Sequence, residues 1–311
     1  MGAKKDKLLL QFLNLVWLRP ENALTMTIRS KTVKEYFMKM KSPSIDISGG
    51  DGIASFITCG GELDEKFDIF TTVGHLDKVR DEKADIYDYY DGMYAPQIIK
   101  KPDVSFDYYS DWKQSLLEKA KKLNFYKKLI LQDNNKKLQF ESDYFNFVFS
   151  NSIYWVENID LFMNELYRIV NDDGLVVLQV KNDYQLKSSF RDLSSLDEKC
   201  KDILDRGRSQ TYKSLTGFKN WKKRFNRAGF TVEEILPIFT KDIRNINDIG
   251  LRPFAPVTIK MANLLDDDKR LEIKREWVDI CYDLLECLAK PNASLGIDER
   301  VVEHQFILRK K

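Results

Sequence analysis

The sequence predicts an α/β fold, a doubly wound and mostly parallel seven-stranded sheet with N-terminal helices and two insertions, and three observations carry that reading. A short apolar strand, Ser44 to Ile47, runs directly into Ser48-Gly49-Gly50-Asp51-Gly52, and behind those glycines Ile53, Phe56 and Ile57 recur at helical spacing. Strand, glycine turn and helix make the opening unit of a doubly wound sheet. Strand-like and helix-like segments then alternate, and Leu175 to Val180 is almost wholly apolar, as suits a parallel strand covered on both faces.

Taken in order, Leu8 to Leu18 and Thr32 to Met40 read as helices ahead of the sheet, separated by a turn at Arg19-Pro20. Pro43 breaks the chain before the first strand. Val104 to Tyr109 is the second strand, ending at Asp111, and Leu116 to Leu123 the helix behind it. Lys128 to Leu131 is the third strand, before Gln132-Asp133-Asn134, and Phe145 to Phe149 the fourth, followed by a helix from Asp160 to Val170. Gly174 opens the fifth strand, Leu175 to Val180. A helix from Asn220 to Ala228 stops at Gly229, and Phe230 to Leu236 and Val301 to Leu308 complete the sheet.

Two stretches exceed a minimal version of this fold. Glu62 to Pro102 lies between the first helix of the sheet and the second strand and is rich in acidic and aromatic residues (Asp85, Tyr87, Asp88, Tyr89, Tyr90, Asp91). Thr240 to Gly296 separates the last two strands and holds an amphipathic helix from Lys269 to Leu288. Insertions of this kind commonly build a lid and part of a binding pocket; the alternative is that they cover the sheet or form a homodimer contact. Residues 1–311 are read as one decorated domain, a size that buries a sizeable core.

Fifty basic residues against 48 acidic ones leave a formal charge of +2, too balanced for the broad basic surface of sequence-independent nucleic-acid binding. Cys59, Cys200, Cys281 and Cys287 lack the short spacing of a zinc or redox pair and are expected to be reduced, mostly buried thiols. Gln11 and Asn14 interrupt the first apolar stretch, which reads as a helix and not a signal peptide. With no run of about 18 apolar residues, no membrane span is expected, and a cytoplasmic protein is.

The turn at Ser48 to Gly52 suits a backbone that must approach a ligand closely ahead of a helix N-terminus. Gly50 and Gly52 meet that demand, and Asp46 is placed to hold the turn or to accept hydrogen bonds from an ammonium. Such a turn alone serves a nicotinamide or flavin cofactor, or a purely structural bend, equally well.

In full, Asp46-Ile47-Ser48-Gly49-Gly50-Asp51-Gly52 resembles the first motif of the class I S-adenosylmethionine-dependent methyltransferases, roughly Asp-x-Gly-x-Gly-x-Gly, on a Rossmann-like fold. Ser48 replaces the first glycine. Serine tolerates few positive-φ conformations, so either Ser48 has ordinary dihedrals or Gly49 takes the tight part of the turn. Four later segments are similar to the family in the same order: Asp111 with Leu117 and Ala120; Gln132-Asp133-Asn134; Leu138-Gln139-Phe140 with Asp143 to Val148, where Asn146 stands for a commoner aspartate; and Glu165 to Val170 with Asp173-Gly174. Gly229-Phe230 resembles the entry to the sixth strand.

The resemblance implies S-adenosyl-L-methionine as cofactor and a site assembled from strand ends. Asp46, Ser48, Gly49, Gly50 and Gly52 would form the donor turn; Asp111, a carboxylate suited to a vicinal diol, would take the ribose, with Trp112 beside it; Asp133 and Asn134 would lie near the adenine. Ser150 and Asn151 follow the fourth strand, where the family places the donor methyl and the acceptor, and Tyr154 and Trp155 either shape that pocket or join the core. Arg19 is a candidate for the donor carboxylate, and Arg252 for an anionic group on the acceptor. Glu165 and Arg168 read as a fold-supporting ion pair.

A sulfonium is already activated, so positioning dominates and no metal is needed; a base is required only for a hydroxyl or a protonated amine. His75 and Tyr154 are the catalytic candidates. Ser150 to Trp155 lacks the Asn-Pro-Pro-Tyr pattern that holds a flipped adenine, which argues against DNA. A small-molecule acceptor is expected, with a sugar or sugar-nucleotide hydroxyl favoured by the Asp and Tyr content of the first insertion. The alternatives are a non-catalytic scaffold, motivated by Ser48 and Asn146, and a nicotinamide-dependent oxidoreductase, whose Gly-x-Gly-x-x-Gly fingerprint is absent.

Overall fold

A computed structural model of the chain describes residues 5–73, 86–90, 92–187, 193–205, 207–249, 254–291 and 301–310. Helix α1 (Lys7–Leu15) starts where the Asp6 carboxylate accepts the backbone N–H groups of Leu8 (3.1 Å) and Leu9 (3.3 Å), and it buries Leu9, Phe12, Leu13 and Leu15. Helix α2 (Pro20–Met38) begins at Pro20 and not at Thr32. Proline has no N–H to lose at a first helical position, so Arg19-Pro20 is a helix start and only a short turn from α1. The first half of α2 escapes a periodicity reading because it buries Thr25, Thr27 and Ser30 along with Ala23, Leu24 and Ile28.

The sheet is built from β1 (Ser44–Ile47), β4 (Tyr108–Asp111), β5 (Lys128–Leu131), β6 (Phe145–Ser150), β7 (Val170–Lys181), β8 (Phe230–Phe239) and β9 (Glu303–Lys310), in the order β5-β4-β1-β6-β7-β9-β8. The small strands β2 (Glu62–Leu63) and β3 (Ile98–Lys100) pair antiparallel with each other, closing the ends of the first insertion into a ribbon. In the main sheet β5, β4, β1, β6 and β7 run parallel, with Asp46 opposite Tyr109 and Phe149; β9 lies antiparallel between β7 and β8. This is the expected seven-stranded, mostly parallel sheet. The fifth strand starts at Val170, and Asp173-Gly174 lies inside it and not ahead of it. A Cβ on Gly174 would stand 2.7 Å from the Phe145 carbonyl oxygen, so glycine admits close passage there.

Alternation along the strands sends residues to two cores. Val177 and Ile307 join α1, α2 and α3 (Ile53–Thr58) on one face, while Val176, Leu178, Phe306 and Leu308 face the other. That second core includes Phe162 and Leu166 of α5 (Ile159–Ile169) and Trp221 and Phe225 of α8 (Phe218–Arg227). Helix α4 (Gln114–Lys122) links β4 to β5, while α6 (Tyr184–Lys187) and α7 (Glu198–Asp205) lie between β7 and α8, where no element was expected.

The second insertion folds as α9 (Lys241–Ile249), α10 (Ala255–Ala262) and α11 (Asp267–Leu285). It docks on the first insertion through Asp68, fully buried, which takes Arg270 at 2.9 Å, the Lys274 ammonium at 3.5 Å and the Trp17 indole N–H at 3.1 Å. Cys59 and Cys281 are buried, but Cys200 and Cys287 are exposed, so burial extends to only half of the thiols. No described helix is long and apolar enough to cross a membrane.

Candidate active site

In a doubly wound sheet ligands bind at the carboxyl ends of the strands, where the strand order changes direction. Here β1 is that point, with β4 on one side and β6 on the other, and the loops after β1, β4, β5 and β6 meet there. Ser48 N–H donates to the Ser110 carbonyl at 2.7 Å, Asn134 Nδ2 donates to Ser48 Oγ at 2.8 Å, and Ser152 Oγ donates to the Ser48 carbonyl at 3.4 Å. All four strand ends are therefore tied to one residue.

Ser48 itself has φ 56°, and Gly50 and Gly52 have φ 65° and 78°. Both expectations for the serine are thus overturned: it takes the left-handed conformation, and Gly49 does not. The three hydrogen bonds at Ser48 hold a backbone state that an L-residue avoids. Gly49 is needed for space instead, since a Cβ there would stand 2.8 Å from Asp46 Oδ2 and 2.9 Å from the Tyr109 ring. A Cβ on Gly50 would meet nothing within 4 Å.

Asp46 is buried below the turn and accepts Ser55 Oγ at 2.6 Å and the Tyr126 hydroxyl at 2.8 Å. These bonds tie the end of β1 to α3 and to the segment before β5. Burial pushes its carboxyl up to about 6 against those two hydrogen bonds. Asp111, also buried, accepts Lys113 N–H at 3.0 Å and Gly50 N–H at 3.3 Å, and burial likewise raises it to about 6. A carboxylate offers about four lone-pair sites, so acceptor capacity remains for a diol.

Among the described residues, three buried polar atoms here have no hydrogen-bond partner: Ser110 Oγ, Ser150 Oγ and Asn134 Oδ1. Open space at Gly50, spare acceptors on Asp111 and orphaned polar atoms at three strand ends fit a polar ligand laid across β1.

Residues 103–178 match the family described as "Methyltransferase domain". Over those residues, which run from before β4 into β7, the chain is similar to a methyltransferase domain. A search of curated proteins finds no match. Among solved structures, the chain is similar to a putative sarcosine dimethylglycine methyltransferase from Galdieria sulphuraria (10% identity, 91% of this chain and 83% of that one, TM-score 0.47). It is also similar to a structure of the Haloferax volcanii Trm112 methyltransferase activator with the putative methyltransferase (12%, 91% and 93%, TM-score 0.42). A third is Haemonchus contortus phosphoethanolamine N-methyltransferase 2 with S-adenosyl-L-methionine (15%, 91% and 52%, TM-score 0.43).

Of the expected site residues, Asp111, Trp112, Asp133, Asn134, Ser150, Asn151 and Tyr154 fall within the matched segment. Trp112 is 64% exposed beside Asp111, whereas Asp133 turns its carboxylate back to Asn135 N–H at 2.9 Å. Tyr154 is buried, and Trp155 is half exposed. Arg19 is buried and paired with Glu21, with no hydrogen bond to the donor turn among the described residues. His75 and Arg252 lie outside the described residues. Glu165 and Arg168 form an ion pair at 2.6 Å that grips the Leu138 N–H and the carbonyls of Leu138 and Phe140, a fold-supporting role. Asn146 bonds to the Ser42 carbonyl at the amino end of β6, opposite the site.

Sequence reasoning missed Tyr109, whose hydroxyl donates to the Gly50 carbonyl, and Ser55 and Tyr126 beneath Asp46. Tyr109 was legible as the residue two before Asp111, on the same side of the strand. Tyr126 left no such signal, because its place depends on tertiary packing.

Proposed function

We propose that the domain binds S-adenosyl-L-methionine across β1, with Ser48, Gly49, Gly50 and Gly52 against the donor's amino-acid end, Asp111 and Trp112 at its ribose, and Asp133 and Asn134 at its adenine, and that it methylates a small-molecule acceptor beside Ser150, Asn151 and Tyr154. The bound donor supplies an activated methyl group. The chain's part is to orient it, to exclude water and to hold the acceptor in line. The observation that carries this reading is Asp111, buried with spare acceptor capacity against the open backbone of Gly50.

The acidic, aromatic strip that suggested a sugar hydroxyl contributes two described contacts near the proposed donor site. Asp88 pairs with Lys113, next to Trp112, and the Tyr87 hydroxyl accepts Asn22 Nδ2 of α2 at 2.7 Å. In calorimetric titrations S-adenosylmethionine and S-adenosylhomocysteine are expected to bind in the micromolar range and NADH not at all. Asp111→Ala is expected to weaken both by at least about tenfold, since hydrogen bonds to a charged group contribute about 1.5–3 kcal/mol. Equal affinity of the variant, or selective NADH binding, overturns the assignment.

A further inference from the structure

Beyond Tyr154, four cations from four elements converge, Lys181 and Arg244 buried and Arg29 and Arg208 partly buried. Lys181 ends β7, Arg29 lies on α2, Arg208 follows α7, and Arg244 lies on α9. Two carboxylates meet them: Glu303 takes Arg29 at 2.5 and 2.7 Å, and Asp248 takes Arg208 at 2.9 Å and Arg244 at 2.6 Å. Asn247 Oδ1 accepts from both Arg208 (3.2 Å) and Arg244 (3.1 Å). Lys181, 4% exposed, has no ion pair among the described residues, and its ammonium lies 4.7 and 5.5 Å from the ring centres of Tyr154 and Tyr212. Arg244 Nε and Asp248 Oδ2 are buried with no hydrogen-bond partner among the described residues.

Among the described residues, four cations against two carboxylates leave an excess of positive charge around the buried Lys181 and Arg244. Such an excess is costly until a proton leaves or an anion arrives. Burial, then Arg208 and Arg29, push the Lys181 ammonium well below its ordinary range. The position is also telling. Ser150 pairs with Leu178 in parallel register, so the loop carrying Tyr154 and the end of β7 share the carboxyl edge of the sheet with the donor turn, and Ser152 ties that loop to Ser48.

We infer that this cluster receives the anionic group of the acceptor: the methylated small molecule carries a carboxylate or a phosphate, bound by Lys181, Arg208 and Arg244. The inference rests on the methyl-transfer reading for the word acceptor, but the anion site is testable by itself. Inorganic phosphate and succinate are titrated separately into the full chain, with chloride at matched ionic strength as control, and thermal unfolding is followed. One of the two is expected to raise Tm saturably, by roughly 2–4 °C at about tenfold excess over its dissociation constant. Phosphate alone points to a phosphorylated acceptor and succinate alone to a carboxylic acid. The rise should vanish in Lys181→Met, or in Arg208→Gln if the first variant does not fold. No rise beyond chloride, or a rise that survives both substitutions, overturns the inference. S-adenosylmethionine is titrated in parallel. A chain that takes the donor but neither anion removes this inference alone, whereas one that takes an anion through Lys181 but no donor removes the methyl-transfer reading alone.

Discussion

Ser48 holds a left-handed backbone conformation that costs an L-residue roughly 1–2 kcal/mol, and it does so under three hydrogen bonds from the loops around it. Ser48→Gly should relieve the backbone but lose the bond from Asn134, worth about 1 kcal/mol, so urea unfolding is expected to show a change within about 1 kcal/mol. Ser48→Val loses the same bond and places a β-branched side chain at positive φ, and a loss of about 2–3 kcal/mol is expected. Equal stability of the two variants would mean that the turn relaxes once the serine is gone. The meeting of the turn with the neighbouring strand ends was legible at this scale, because strand ends and glycines mark where loops meet. Backbone states were not, since the φ of Ser48 is set by partners 62, 86 and 104 residues away.

Elements with an apolar period or an apolar run were readable, and β5 was expected at Lys128–Leu131, where it lies. The exceptions share a cause. Helix α2 buries hydroxyls: Thr27 Oγ1 bonds back to the Ala23 carbonyl at 2.8 Å and Ser30 Oγ accepts Thr58 Oγ1 at 2.7 Å, so burial follows no hydrophobic stripe. Contacts between the insertions were equally hidden, because Asp68 and Arg270 lie 202 residues apart. That junction sets the next expectation. Asp68→Ala leaves Arg270 and Lys274 buried without their carboxylate and the Trp17 N–H without its acceptor. Breaking a buried ion pair from one side typically costs about 3–5 kcal/mol, and a loss of that order should appear in urea unfolding. A loss under about 1 kcal/mol would show that α11 docks through its apolar side chains alone.

Across the whole molecule, two classes of carboxylate oppose each other in pH dependence. Glu165, held low by Arg168, and Glu303, held low by Arg29 in spite of its burial, stabilise the fold above their unfolded values and lose that contribution as pH falls. Asp46 and Asp111, raised to about 6 by burial, act the other way. The folded chain holds their protons more tightly than the unfolded chain does, so their contribution is complete below about 4 and is lost as pH rises through about 6. Their contribution is therefore smallest near neutral pH, where an ionised Asp111 is the better hydrogen-bond acceptor. Asp46→Asn keeps an acceptor for Ser55 and Tyr126 but cannot ionise. Its stability relative to the parent should climb by a few kcal/mol between pH 4 and pH 7, because each tenfold difference in proton affinity between the folded and unfolded chains is worth about 1.4 kcal/mol. Parallel urea titrations at pH 4, 5, 6 and 7 measure that difference. A difference that stays constant with pH would mean that Asp46 ionises in the folded chain as it does in the unfolded one, and that the two hydrogen bonds beneath the turn outweigh its burial.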